Sequence, residues 1–498
     1  MKMRRLTTRV GLLAATTVVG ALVAPSANAV LPSATVISGV SPFAACSNQG
    51  LATNYVNAEV EPSLAVNPLN SNNVATAWQQ DRWGDPSEGG AHGLAAWSTG
   101  NGGVSGASSY APFTTCSGGT AANHGNFDRV SDVWLSFGPD GTLYQSALLF
   151  NAFNNDQGIT VSRSVDGGHT WGTPVVADRF QRSSSTHGDD KEAITADPYK
   201  PGYVYLVWDR YGNQNPDYTA GHAQNANKGP AYFSRSTDGG ATWSSPKPIY
   251  SRDNGTIGNQ IVVLPNGTLA DFFVNYTVAN VKGGVVWNAN LLEIRSNDQG
   301  KTWSKSPIVV SPMNFQGTYD PNTGNYIRSG AGLFSVAVDS TSGALYTTWE
   351  DSSFNGVDQV AFAKSVDGGL RWSAPTLVSQ TPTNLNPLDE QAFTPTVAVA
   401  ANGAVVVTYY DFRNNSNGSY TATDYWAVSS TNGGATWPKE VRLTTSSFNA
   451  QTAPLASGVM IGDYEGLASA GNKFYAAFEI TNNDTSNPTD IALATFTP

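Results

Sequence analysis

The sequence predicts an all-β fold, a seven-bladed β-propeller of four-stranded blades, with six blades as the fallback if one hairpin is an insertion. Three observations lead there. The composition is polar, aromatic and poor in charge: of 498 residues 13% are charged and 40% hydrophobic, with 50 Gly, 20 Tyr, 20 Phe and 13 Trp. A helical bundle would need Ala, Glu, Lys and Leu in quantity, and a disordered chain would lack this aromatic content. An octapeptide ending in Trp recurs along the chain, and a second repeat, strand–turn–strand, runs out of phase with it.

The octapeptide stands at 164–171, 236–243, 296–303, 365–372 and 430–437, with a decayed form at 98–103. The first copy runs from Ser164 through Asp166, Gly167 and Gly168 to Trp171, and the last has Asn432 in the place of Asp. The pattern encodes a tight hairpin. Asp accepts backbone N–H bonds, Gly supplies positive φ, and Trp closes the turn with apolar area.

The second repeat is read in order along the chain. Glu61–Val66 leads to Val74–Trp78, Asp132–Leu135 to Leu143–Leu148, Glu192–Thr195 to Val204–Trp208, and Gln260–Leu264 to Leu269–Phe273. Leu333–Val338 then leads to Leu345–Trp349, Pro395–Val399 to Val405–Tyr410, and Gly466–Ala468 to Phe474–Phe478. Seven copies at spacings of about 60 to 75 residues each supply one blade. The last strand, Ile491–Phe496, is expected to pair with an N-terminal strand around Thr35–Ile37 and close the ring. Trp78, Trp208, Trp349 and Tyr410 share one repeat position and read as wedges between blades. Trp83, Trp134 and Trp287 break phase and read as sugar platforms.

Residues 1–29 read as a secretory signal peptide: basic residues through Arg9, the apolar run Val10–Val23, and Ala27-Asn28-Ala29 at the cleavage site. The expected product is a single propeller domain over 30–498, secreted and extracellular. Cys46 and Cys116 are the only cysteines, and in an oxidising compartment they are expected to form one disulfide. The net charge of −11 includes four cations and no acid in the first 29 residues, so the remainder stands near −15. That field repels nucleic acid and anionic membrane, and no other segment approaches the length of a membrane span. A monomer is expected, with no nucleic-acid or membrane partner. No cofactor is required. A structural Ca²⁺ on Asp189 and Asp190, with Asp209 nearby, is weighed because hard oxygen ligands cluster there, whereas the five histidines show no zinc spacing.

With these residues on the page, the octapeptides resemble the Asp-boxes (BNR repeats) of the sialidase-like propeller superfamily. The resemblance implies a glycoside hydrolase, exo-acting on a terminal acidic sugar. It places Tyr464 as nucleophile, relayed by Glu192, because a neutral phenol approaches a carboxylate-bearing anomeric centre without charge repulsion. Asp85 would be the acid/base, and Arg82, Arg210 and Arg328 the carboxylate clamp, with Trp83 and His187 also in contact with substrate. One departure stands out: where the family carries Arg-Ile-Pro, this chain reads Glu59-Val60-Glu61-Pro62, which argues against sialic acid itself. The alternatives are a polysaccharide lyase cutting beside a uronate, with His124, His187 or a Tyr as base, and a non-catalytic glycan-binding propeller. In every case Glu192, Arg210, Arg328 and Tyr464 are expected to face one locally basic cleft, with the Asp-boxes far from it.

Overall fold

Strands that alternate apolar and polar residues and break at Gly, Pro and Asn turns build sheets that fold back on themselves. The computed structural model describes residues 34–46, 52–84, 89–152, 154, 156–181, 187–212, 229–251, 255–281, 284–415 and 420–498. The expected signal peptide, residues 1–29, and Asp85 lie outside them. Among the described residues the fold is all-β, with short 3₁₀ turns and no α-helix, so no helix is long and apolar enough to cross a membrane.

The described strands form seven four-stranded antiparallel meanders. Their first strands are Glu59–Val66, Arg129–Phe137, His187–Ala196, Gly255–Val263, Phe334–Val338, Ala392–Val399 and Gly466–Ala470. Each of these strands contacts the first strand of the next meander, and Gly466–Ala470 returns to Glu59–Val66, so the seven inner strands surround a common axis. The first two meanders also join through the pair Ala91↔Val130. The seventh sheet takes its outermost strand from the other end of the chain: Thr35 pairs with Leu493 and Val36 with Ala492. That pairing covers an edge which would otherwise be free to recruit another chain. Cys46 and Cys116 are bridged, with Cα atoms 5.5 Å apart.

Packing between sheets rests on aromatic wedges. Trp208, Trp349 and Tyr410 are wholly buried and Trp78 nearly so, in the positions their shared phase predicts. The Asp-box tryptophans pack beside them: Trp243 joins the cluster around Tyr144 and Trp208, and Trp437 meets Phe362 edge-on at 5.0 Å. Within a box, the Asp238 carboxylate accepts from the Thr242 backbone N–H at 2.9 Å, and the Ser236 hydroxyl accepts from Gly240 N–H at 2.8 Å. The Thr242 and Ser236 hydroxyls hold the Asp238 carboxyl down at about 2. Neighbouring sheets are also latched through the boxes, Arg163 donating to Gly239 O at 2.9 Å and Lys364 to Gly433 O at 2.6 Å. Gly239 N–H donates to Gly202 O, which lies in the turn after an inner strand. The boxes therefore stand at the turn end of the sheets, opposite the end where the inner strands begin.

One core residue runs against the packing. Asp271, in the second strand of the fourth sheet, is wholly buried and neither carboxylate oxygen has a hydrogen-bond partner among the described residues. Burial pushes its pKa well up, and Asp209 adds to the effect. A carboxyl whose folded pKa is raised contributes stability below its unfolded pKa of about 3.9, and that stability is lost as pH rises toward the folded value. This group is therefore expected to make the protein lose stability as pH rises above about 4. Asp271→Asn should flatten that slope by up to about 1.4 kcal/mol per pH unit, read from urea midpoints above that pH.

Candidate functional site

Five inner strands carry a bulge at the same phase, between Val60 and Ser63, Ser131 and Trp134, Asp190 and Ala193, Ile257 and Gln260, and Phe393 and Thr396. At each bulge one residue turns to positive φ: Glu61 (56°), Asp132 (48°), Lys191 (48°), Gly258 (74°) and Thr394 (49°). Such a backbone costs about 1–3 kcal/mol in a non-glycine residue, and bulges of this kind re-aim side chains beside active sites. Here the re-aimed side chains are an ammonium and two carboxylates, whose mutual attraction offsets the strain.

They meet residues from the seventh sheet and from an insertion ahead of the fifth. Lys191 Nζ lies 2.7 Å from Asp463, 3.6 Å from Asp132 and 3.8 Å from Glu61. Arg328 grips Asp463 with two hydrogen bonds, Nε–Oδ1 at 2.8 Å and Nη2–Oδ2 at 2.5 Å. The Asp463 backbone N–H donates to Glu61 Oε1 at 3.0 Å. Gln79 connects Arg82 to the group, accepting from Arg82 Nη1 at 2.6 Å and donating to Glu61. Tyr464 stacks on Trp134 with ring centroids 5.8 Å apart, and Lys191 Nζ lies 5.2 Å from the Tyr464 ring centroid. The Val133 backbone N–H donates to the Tyr464 hydroxyl at 3.0 Å. A cleft runs past these groups, lined by Ser63, Trp134, Gln260, Phe334, Asp463 and Tyr464.

The carboxyls differ in proton affinity. Burial pushes Glu61 up to about 7, partly countered by Lys191. Burial also raises Asp132, again opposed by Lys191. Asp463 is buried too, but Arg328 and Lys191 outweigh that and hold it well below the usual carboxylate range. Tyr464 is raised by burial and then by the charges of Glu61, Asp132 and Glu192. Two carboxyls pushed apart in one cleft can divide the work of acid and base at a single pH.

The residues named from sequence separate into those this cleft gathers and those it does not. Tyr464, Arg82 and Arg328 belong to it. Glu192 is wholly buried next to the bulge, near enough for its charge to act on Tyr464, and its own pKa is pushed well up by burial and by Asp132. Arg210 does not join. It stands directly across from Asp189 and donates Nε to Asp189 at 2.7 Å, bonds Asp178 of the preceding sheet, and lies 4.1 Å over the Tyr232 ring. The three-arginine clamp is therefore not formed, and Arg328 is itself held by Asp463. The expected basic pocket is a mixed ion cluster instead, with Arg82, Lys191 and Arg328 lying among Glu61, Asp132 and Asp463.

Trp83 is no sugar platform: it is 4% exposed, with the Arg129 guanidinium 3.9 Å from its ring centroid. Trp134, which also breaks phase, does line the cleft. Both Asp189 oxygens bond Arg210, and Asp209 accepts from Thr256, Gly258 N–H and Asn259. Among the described residues no group of three His, Cys, Asp or Glu residues is arranged to hold a metal. Asp85 and the side chains of His187 and Trp287 lie outside the described residues.

Sequence reasoning missed the part played by Glu61 and Lys191. A signal for them exists: Glu61, Asp132, Lys191, Gly258 and Thr394 each stand three residues before the aliphatic residues Leu64, Leu135, Ile194, Ile261 and Val397. That spacing marks the bulge.

No protein-family model matches the chain. It is 28% identical over 307 residues to a xyloglucanase of Paenibacillus sp, covering 59% of this chain and 26% of that protein. It is 26% identical over 282 residues to the xyloglucanase Xgh74A of Acetivibrio thermocellus, covering 54% and 29%. The chain thus spans little more than a quarter of the length of these curated relatives. Among solved structures it is similar to the Hadza microbial sialidase Hz136, at 17% identity and TM-score 0.47 over 81% of this chain and 73% of that one. It is similar also to the α-L-arabinofuranosidase Arb93A of Fusarium graminearum, at 10% identity and TM-score 0.46 over 90% and 98%.

Proposed function

We propose that the chain is a secreted glycoside hydrolase, built as one seven-bladed β-propeller, whose chemistry sits where Glu61, Asp132, Lys191, Arg328, Asp463 and Tyr464 meet. The observation that carries this reading is the pair Glu61 and Asp463. One carboxyl is raised to about 7 and the other held well below its usual range, the two joined through Lys191 beside an aromatic-lined cleft whose wall includes Asp463. As the glycosidic C–O bond breaks, Glu61 gives its proton to the leaving sugar oxygen, the ionised Asp463 steadies the positive charge at the anomeric carbon, and water adds there with loss of a proton that restores Glu61. The Trp134–Tyr464 pair offers an apolar face to the ring.

The pairing of Arg328 with Asp463 favours a neutral glycan, because a substrate carboxylate would have to displace Asp463 from Arg328. The two relatives named xyloglucanases support the same class. A second reading keeps the terminal acidic sugar, with Tyr464 as nucleophile relayed by Glu192. It draws on Arg82 and Arg328 flanking Glu61 and on the field of Glu192 at Tyr464.

The test is incubation of the protein with xyloglucan, linear arabinan, sialyllactose and polygalacturonate, followed by product analysis. New reducing ends from either neutral polymer are expected. Release of sialic acid would favour the second reading, products absorbing in the near ultraviolet would identify a lyase, and binding without product a lectin. Tyr464→Phe separates the two hydrolase readings, since it abolishes turnover only where the phenol is the nucleophile.

A further inference from the structure

Two insertions interrupt the regular repeat ahead of the fifth and seventh inner strands. They pair with each other in a separate three-stranded sheet. Thr318–Tyr319 pairs antiparallel with Tyr326–Arg328, which pairs in parallel with Val459–Met460. In the first of these pairs Tyr319 is directly opposite Tyr326, so both rings share one face, and they meet edge-on at 5.9 Å. Alternation along the strand sends Ile327 the other way, into a wholly buried position in the core. Tyr326 and Arg328 therefore project from the same side, and Arg328 is the residue that grips Asp463.

Both tyrosines are exposed, Tyr326 by 41% and Tyr319 by 37%, although neither is needed to cover the core. Their positions are nonetheless tightly defined. Gly317 and Gly458, at φ 88° and 121°, flank the Tyr326 ring so closely that a Cβ on either would come within 3.1 Å and 2.8 Å of it. The Tyr319 backbone is tied to the sixth sheet by two hydrogen bonds with the Gln391 amide, at 2.8 and 2.7 Å. The link to the cleft is Arg328, on the same face two residues on, which bonds Asp463 of the cleft wall. A rigid, half-exposed aromatic with a polar tip, set beside such a cleft, has the chemistry that grips a pyranose: the ring covers the sugar's C–H face and the hydroxyl meets its rim.

We propose that Tyr326, supported by Tyr319, is a sugar-binding platform that holds a neutral oligosaccharide chain beyond the bond being cleaved. This rests on the hydrolase reading above and deepens it, because a platform outside the Glu61–Asp463 pair serves a chain rather than a single terminal residue. Tyr326 is a positioning residue here, not a catalytic one.

The experiment compares wild type, Tyr326→Ala, Tyr326→Phe and Tyr326→Trp, each checked for an unchanged thermal melt. It uses affinity electrophoresis in soluble xyloglucan and linear arabinan, and kinetics on the polymer that is cleaved. Tyr326→Ala is expected to weaken retention and raise KM about tenfold, the loss of roughly one aromatic contact, with kcat retained. Tyr326→Phe and Tyr326→Trp should restore most of the affinity, which a merely structural role for the hydroxyl would not explain. Equal retention and equal KM for wild type and Tyr326→Ala would overturn the platform while leaving the hydrolase reading intact. Should Tyr326→Ala melt early, Tyr319→Ala, on the outer strand, carries the same expectation. Retention of wild type by neither polymer would overturn the platform. Product formation from sialyllactose alone would show that the neutral-glycan reading had failed first.

Discussion

Lys191→Met is expected to be the most destabilising single change in the site, costing about 3–5 kcal/mol, because it leaves buried carboxylates without their shared cation. Lys191 lies within 4 Å of Asp463, Asp132 and Glu61, and its side chain is only 10% exposed. Arg328 would still hold Asp463, so the loss falls mainly on Asp132 and Glu61. Both of those carboxyls are already raised by burial, Glu61 to about 7. Removing the ammonium, which now lowers them, raises them further, and protonation can then relieve the repulsion. The deficit should therefore be largest at pH 8 and shrink toward pH 5. Urea unfolding of wild type and variant at both pH values measures it, and a deficit independent of pH would show that Lys191 acts by packing alone.

Glu61→Gln is expected to lower kcat/KM by about 10² or more on whichever glycan the protein cleaves, the usual contribution of a positioned general acid. The amide can still accept from Asp463 N–H, which donates to Glu61 Oε1 at 3.0 Å, but it loses the bond from Gln79, so a thermal melt of the variant is the control. The pH profile is the sharper measure. A proton donor works while protonated, so wild-type activity should fall as pH rises through about 7. In Glu61→Gln that fall should vanish along with the rate. A variant of undiminished activity, or one with an unaltered alkaline limb, would remove Glu61 from the chemistry and return attention to Glu192 and Asp132.

Two features of this protein were legible in its sequence for the same reason: both are local and both repeat. The Asp-box turn is made by residues within one octapeptide, as in the contact of Asp238 with Thr242, so its geometry is written in its spacing. Inner strands and their aromatic wedges follow from alternation, which is why Trp78, Trp208, Trp349 and Tyr410 lie where their phase puts them. Arg82 ends the second strand of the first sheet and Tyr464 just precedes the seventh inner strand, positions that the repeat marks, whereas Arg328 sits in an insertion that the repeat does not describe.

What the sequence could not decide was which charges pair. Arg210 and Arg328 look alike in sequence, each beside a strand end. Yet Arg210 is claimed by Asp189 across its own hairpin and by Asp178 of the preceding sheet, whereas Arg328 reaches Asp463, which lies 135 residues away. Trp83 and Trp134 likewise break phase together, and only the packing of Arg129 on Trp83 tells the buried ring from the one on the cleft. The site itself is a product of closure. Bulges in separate blades turn Glu61, Asp132 and Lys191 toward one axis, and no spacing along the chain states their mutual distances. Local geometry is set by neighbours in sequence. The pairing of charges around the cleft is set by neighbours in space.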